Sequence, residues 1–146
     1  MQIKSFDQLN TSELYQILKL RVDVFCVEQA CPYADLDNLD QQAWHVFTTA
    51  ADGAVMAYAR ILPPGLSYPE DSSIARVVTA EKARAQKLGV RLMQKAIDFC
   101  QNQYPGHAIS ISAQSYLHRF YHNLGFVDTG EYYLEDDIPH QHMRLL

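Results

Sequence analysis

At 146 residues, 48% apolar and 20% charged, the chain can bury one sizeable core and is too apolar to be a disordered polymer. Its formal net charge of -5 argues against a nucleic-acid partner, and no apolar run approaches the roughly 20 residues of a membrane-spanning helix. Met1 to Asp7 lacks the apolar core of a signal peptide, and three cysteines make no disulfide framework, so one cytoplasmic domain over residues 1–146 is expected.

Gln2 to Phe6 alternates weakly, as a short strand would. Asn10, with Glu13 three residues on, starts a helix by a variant of the capping box. Leu14, Ile17, Leu18, Val22 and Phe25 then recur at helical spacing. Arg21 lies on or beside this apolar face and is expected either to reach solvent or to pair with an acid such as Glu28. The helix breaks before Pro32, and Tyr33 to Asp40 follows as an acidic loop. That loop is either a solvated surface or a wall that attracts a cationic amine. It lacks the glycine and closing glutamate of a calcium loop. Cys26, Cys31 and His45 fit no common zinc spacing, so no metal is expected.

Trp44 to Ala50 and Val55 to Leu62 read as strands joined at Asp52-Gly53, a hairpin signal. Pro63 to Asp71 is a breaker-rich loop, and Ser73 to Thr79 is the central strand. Next come a short turn, a loop ending at Gly89, and a helix to Cys100. The stripe Leu88, Leu92, Met93, Ala96, Ile97 and Cys100 should pack on the sheet. Ala108 to Ala113 is a strand closed by Gln114, and Ser115 to Leu124 is a short helix stopped by Gly125. Phe126 to Leu134 and His140 to Leu146 are the last strands, with Glu135 to Pro139 turning between them. A mixed sheet flanked by helices follows from this order. The strands on either side of the long helix should run parallel.

The stretch from Ile74 to Cys100 carries the chemistry. A strand that feeds a helix through a loop aims unpaired backbone N–H groups at one point, where a pyrophosphate is stabilised. Gly89 permits close approach, and Lys82, Arg84, Lys87 and Arg91 cluster there in an otherwise acidic chain. Such a local cluster suits a small polyanion.

These residues resemble the GNAT acyltransferase superfamily. Arg84-Ala-Gln-Lys87-Leu-Gly89 after Val77-Val-Thr79 is similar to its coenzyme loop, and Phe120-Tyr121 ahead of Gly125-Phe126 to its second signature. Arg21 to Gln29, Tyr58-Ala-Arg60-Ile and Glu135 to His140 resemble the ElaA-like branch. Lys87 departs from the family's usual glycine, and Gln114 stands near where many relatives have asparagine. The resemblance implies an α/β (α+β) fold with a mixed, mostly antiparallel sheet of about six to seven strands flanked by helices. It further implies an acetyl-CoA-dependent N-acetyltransferase that acts directly on a primary amine of a small molecule or peptide, with no metal. A non-catalytic acyl-CoA-binding or sensor module is the alternative.

Under the resemblance, Val77, Val78, Thr79, Arg84, Ala85, Gln86, Lys87, Leu88, Gly89, Val90, Gln114 and Tyr121 would hold the coenzyme. Tyr121 would protonate the departing thiolate; its plainer role is packing beside Phe120. The base is open among Glu28, Asp35, His45 and His140, with Glu28 preferred. Glu28, Gln29, Tyr33, Asp35 and His140 would face the acceptor. Cys26 and Cys31 lack a histidine partner in local sequence that would make either a covalent carrier. Strands near the C-terminus offer an edge on which a homodimer could pair.

Overall fold

The computed structural model describes residues 1–146. The elements are β1 (Gln2–Ser5), α1 (Thr11–Arg21), β2 (Trp44–Thr49), β3 (Val55–Leu62), β4 (Ser72–Thr79), α2 (Leu88–Gln103), β5 (Ile109–Gln114), α3 (His118–Asn123), β6 (Val127–Glu135) and β7 (Ile138–Leu145). They build one seven-stranded sheet in the order β1-β2-β3-β4-β5-β7-β6. All neighbours are antiparallel except β4 and β5, which run parallel because α2 returns the chain across the sheet between them.

Each helix is specified locally. The Asn10 side chain accepts from the Glu13 amide and the Glu13 side chain accepts from the Asn10 amide, so two backbone donors at the start of α1 are satisfied. The α2 stripe is buried as its spacing predicts, within an 18-residue cluster that includes Val46, Ile61, Ile111 and Phe126. Burying each such side chain contributes about 1.5–3 kcal/mol. Truncating fully buried Leu92 to Ala would cost about 2–5 kcal/mol. On the opposite face, Ile17, Leu20 and Val24 pack with Phe47, Tyr58 and Val78.

Two expectations change, and a third is met in a different way. The first helix ends ahead of Pro32, as expected, but not as an α-helix. It widens into a π-helical segment over Val22–Glu28, with Gln29 N–H bonded to Val24 O and Cys31 N–H to Cys26 O. The β6–β7 turn is shorter than Glu135 to Pro139. Only Asp136 and Asp137 turn, both at positive φ (51° and 62°), as a two-residue hairpin requires. Arg21 neither reaches solvent nor pairs with Glu28; it is fully buried against Asp35 and Asp40.

The sheet is split near its centre. β4 and β5 pair only at Ser72↔Ile109 and Ser73↔Ser110, and part beyond that point. On its other side β4 pairs Val78 with Tyr58 but Ala75 with Arg60. Arg76 and Val77 therefore share the single partner Ala59, and Arg76 lies at φ 54°. Such a bulge bends its strand, here next to the point where β4 leaves β5.

Candidate active site

What holds Arg76 in a conformation that disfavours a Cβ is a ring of alternating charges. Arg21 contacts Asp35 (2.9 Å) and Asp40 (2.8 Å), and Arg60 contacts Asp40 (3.0 Å) and, through two nitrogens, Asp37 (2.8 Å each). Arg76 closes the ring on Asp35 (2.9 Å) and Asp37 (3.3 Å). Three arginines balance three aspartates, so the charge sums to zero where little water reaches. Burial alone would raise the Asp37 carboxyl, but the hydrogen bonds from Arg60 outweigh it and hold it at about 2. The acidic loop is thus tied to α1, β3 and β4 rather than solvated. Asp35 is 3% exposed and spends both carboxylate oxygens on Arg21, Arg76 and the Tyr33 hydroxyl, leaving no face for an acceptor. His45, one of the four base candidates, is fully buried beneath the ring. Its Nε2 donates to the Asp40 carbonyl and its Nδ1 accepts from Tyr58, and burial lowers its pKa.

Above the ring, between the parted strands, lies a cleft of about 950 Å³. One wall is Val77 to Thr79 of β4 with the start of α2, where Lys87, Gly89 and Val90 line the opening. Lys87 precedes the helix in the left-handed region (φ 56°, ψ 31°). That geometry explains why a glycine serves well at this position. No side chain caps α2 and no acid sits in its first turn, so its free amides face the cleft mouth without an internal anion on the helix itself. A Cβ at Gly89 would stand 3.6 Å from Phe120, an ordinary contact, so packing alone does not demand glycine there. Arg84 flanks this wall from the 3-10 turn Glu81–Gln86. Ala85 and Gln86 lie exposed outside the cleft lining, and Leu88 is buried in the core.

The facing wall is β5 and α3. Gln114 donates to Gln29 across the cleft (3.3 Å). Tyr121 is 6% exposed yet lines the cleft, edge-on to both Phe120 and Phe126. Its burial pushes the phenol pKa up, so it keeps its proton across the physiological range.

At the far end stand Tyr33, Tyr68, Glu135, Asp136 and His140. His140 is the cross-strand partner of Gln114 and stacks on Tyr133 at 6.1 Å. Its Nδ1 lies 2.7 Å from the Ile138 carbonyl, which only accepts, so Nδ1 carries the proton. Its Nε2 stands 3.3 Å from Glu135 Oε2. Glu28 lines the same cleft but is paired with Arg84 (2.7 Å) rather than Arg21.

The structure therefore gathers thirteen of the expected site residues, including Glu28, Gln29, Tyr33, Gln114, Tyr121 and His140, around one cavity, with Asp35, Ala85, Gln86 and Leu88 outside its lining. Tyr68, Ser112 and Tyr116 also line it and were not expected. Tyr68 comes from the breaker-rich loop, which has no periodicity to mark a side chain that turns inward. No group of three or more His, Cys, Asp or Glu side chains is set to hold a metal ion, and no helix is long and apolar enough to cross a membrane.

The acetyltransferase (GNAT) domain family matches over residues 16–146. ElaA of Escherichia coli is 40% identical over 135 residues, covering 91% of this chain and 87% of ElaA. The crystal structure of E. coli ElaA superposes with a TM-score of 0.91 at 37% identity, covering 99% of this chain and 98% of the other. An acyl-CoA N-acyltransferase from Pseudomonas aeruginosa gives 0.90 at 38% identity, with the same coverage.

Proposed function

Because this chain belongs to the GNAT acetyltransferase family, as an ElaA-like member, we propose that it moves an acetyl group from acetyl-CoA directly to a primary amine of a small molecule or peptide. One observation carries the reading: the cleft between the parted strands β4 and β5 runs to the uncapped, acid-free start of α2. That is where a diphosphate is stabilised by backbone donors. The amides from Arg84 to Val90 would take the diphosphate, with Arg84 at the rim. The amide-bearing arm would lie along Val77 to Thr79 as an added strand, with Gln114 opposite.

The chemistry then follows from what lines the cleft. The amine nitrogen bonds to the acetyl carbon, the carbon–sulfur bond breaks, and an N–H of Val77 or Val78 stabilises the oxyanion between. Such a donor is worth roughly 3–4 kcal/mol. The amine must first lose a proton, since an unperturbed lysine-type amine has a pKa of about 10.4. His140 Nε2 is the group we assign to receive it, with Glu135 beside the resulting imidazolium. Tyr121, held neutral by burial, gives its proton to the departing thiolate, and the second proton that the nitrogen sheds as the amide forms restores the phenol. Glu135 and Asp136 at the far end favour a cationic acceptor. Three free thiols suit the cytoplasm, and the edge strand β6, with Val127, Tyr132 and Leu134 exposed, is where a homodimer would pair.

The test is an acetyl-CoA-dependent screen over amines, polyamines and peptides, read as release of free CoA thiol. Release that requires one amine class supports the reading. Coenzyme A binding without release for any amine would instead make the chain a binding module.

A further inference from the structure

The π-helical segment that ends at Glu28 reaches across the cleft at three successive points. Glu28 Oε2 lies 2.7 Å from Arg84 Nη2, Gln29 Oε1 accepts from Gln114 at 3.3 Å, and Cys31 Sγ stands 3.7 Å from the Asp136 carbonyl. Arg84 is further held by its Nε on the Thr79 carbonyl (3.3 Å). The first two partners, Arg84 and Gln114, are the residues that the proposed function gives to the coenzyme. An exposed ion pair is ordinarily worth little. The interest of this one is where the carboxylate sits: at the cation beside an uncapped helix start, the place suited to a phosphate.

We infer that Glu28 is an internal occupant of the phosphate site, a built-in anion that the coenzyme diphosphate must displace from Arg84. The neighbouring Gln29–Gln114 bond is given up in the same movement, so the segment acts as a strap over the cleft. A π turn suits this work. Such turns are rare and recur at functional sites, and here the i→i−5 bonds Gln29 to Val24 and Cys31 to Cys26 carry Glu28, Gln29 and Cys31 to the cleft. The diphosphate wins because it brings more charge and also satisfies the free amides of α2, which the Glu28 side chain leaves unbonded. The strap lowers coenzyme affinity in exchange for a covered cleft. This inference rests on the proposed function, and its test separates the two.

Calorimetric titration with coenzyme A decides it, using the wild-type chain, Glu28→Gln, Glu28→Asp, Arg84→Gln and the double variant Glu28→Gln/Arg84→Gln. Removing the competing charge should tighten coenzyme A binding about two- to fivefold at low salt, the range of an exposed pair, with the gain shrinking as salt rises. Glu28→Asp, which keeps the charge, should stay within about a factor of two of wild type. In the Arg84→Gln background, Glu28→Gln should change nothing, because the competition runs through Arg84. Equal or weaker binding by Glu28→Gln, or the same gain without Arg84, overturns the strap while leaving the proposed function standing. Absence of coenzyme A binding by the folded wild-type chain overturns the proposed function itself.

Discussion

Asp40→Asn is a sharp test of the ring of charges that underlies the site. Asp40 is 6% exposed and is the only carboxylate shared by Arg21 and Arg60, at 2.8 and 3.0 Å. Both arginines are at least 98% buried. The substitution keeps the shape and removes one negative charge, which leaves a net positive charge in the interior. Breaking a buried pair costs about 3–5 kcal/mol; Arg21 keeps Asp35 and Arg60 keeps Asp37, so the cost here comes from the positive charge left unbalanced in the interior. With an unfolding entropy of about 2.1 cal/mol/K per residue, a chain of this length has about 0.3 kcal/mol/K, so Tm should fall by roughly 10–16 °C. Thermal and urea unfolding at pH 7 would measure it, with Asp98→Asn on the exposed face of α2 as the control, expected within about 0.5 kcal/mol of wild type. A fall of less than about 3 °C for Asp40→Asn would refute the account of the ring as a closed, charge-balanced unit.

Tyr121→Phe and His140→Gln should each lower kcat by about 10²-fold or more and leave coenzyme A affinity within about twofold, since acid–base groups act on the transition state; loss of binding with unchanged kcat would count against both roles. Lys87→Gly should raise stability by about 0.5–1 kcal/mol, the left-handed penalty of a Cβ at φ 56° less the added chain entropy of glycine; urea unfolding reads it, and a destabilised variant would mean the lysine side chain contributes a contact of its own. Stability should fall in two stages on acidification. Burial depresses His45, so the folded state binds fewer protons than the unfolded one as pH drops below about 6.5. Asp71, hydrogen-bonded by Arg144, and Asp37 are both held at about 2, so their contribution is complete above about pH 4 and is lost as pH falls toward 2. Urea midpoints from pH 8 to 2 measure both stages, and a flat profile above pH 4 would remove the first.

Much of this molecule is legible in the chain because local signals and packing agree. Asn10 with Glu13, Asp52-Gly53 and the Leu88 to Cys100 stripe each mark an element that forms where they point. The two halves of the site are also near in sequence to their own signals, the glycine-bearing loop and the Phe120-Tyr121 pair. What could not be read depends on partners distant along the chain. Nothing near Asp35 indicates that it will be buried, since Arg21 and Arg76 lie 14 and 41 residues away. Likewise Glu28 shows no local preference for Arg84, 56 residues on. The π segment carries no proline or glycine to announce it. In β4, simple alternation would put Ile74 and Val78 on one face, yet Ile74 packs under α2 and Val78 against Tyr58 on the α1 side. The extra residue responsible is an arginine, which normally avoids the backbone angle it adopts.

That extra residue separates two properties usually bound together in a sheet. A chain shortened by Arg76 alone would run Ile74, Ala75, Val77, Val78 in plain alternation, and Ile74 and Val78 would still meet the helices they meet now. The interior would be unchanged in its sidedness, while the kink that turns β4 away from its parallel neighbour would be gone. The insertion that bends β4 beside the slot is thus one that the hydrophobic core does not register and that the neighbouring aspartates hold in place.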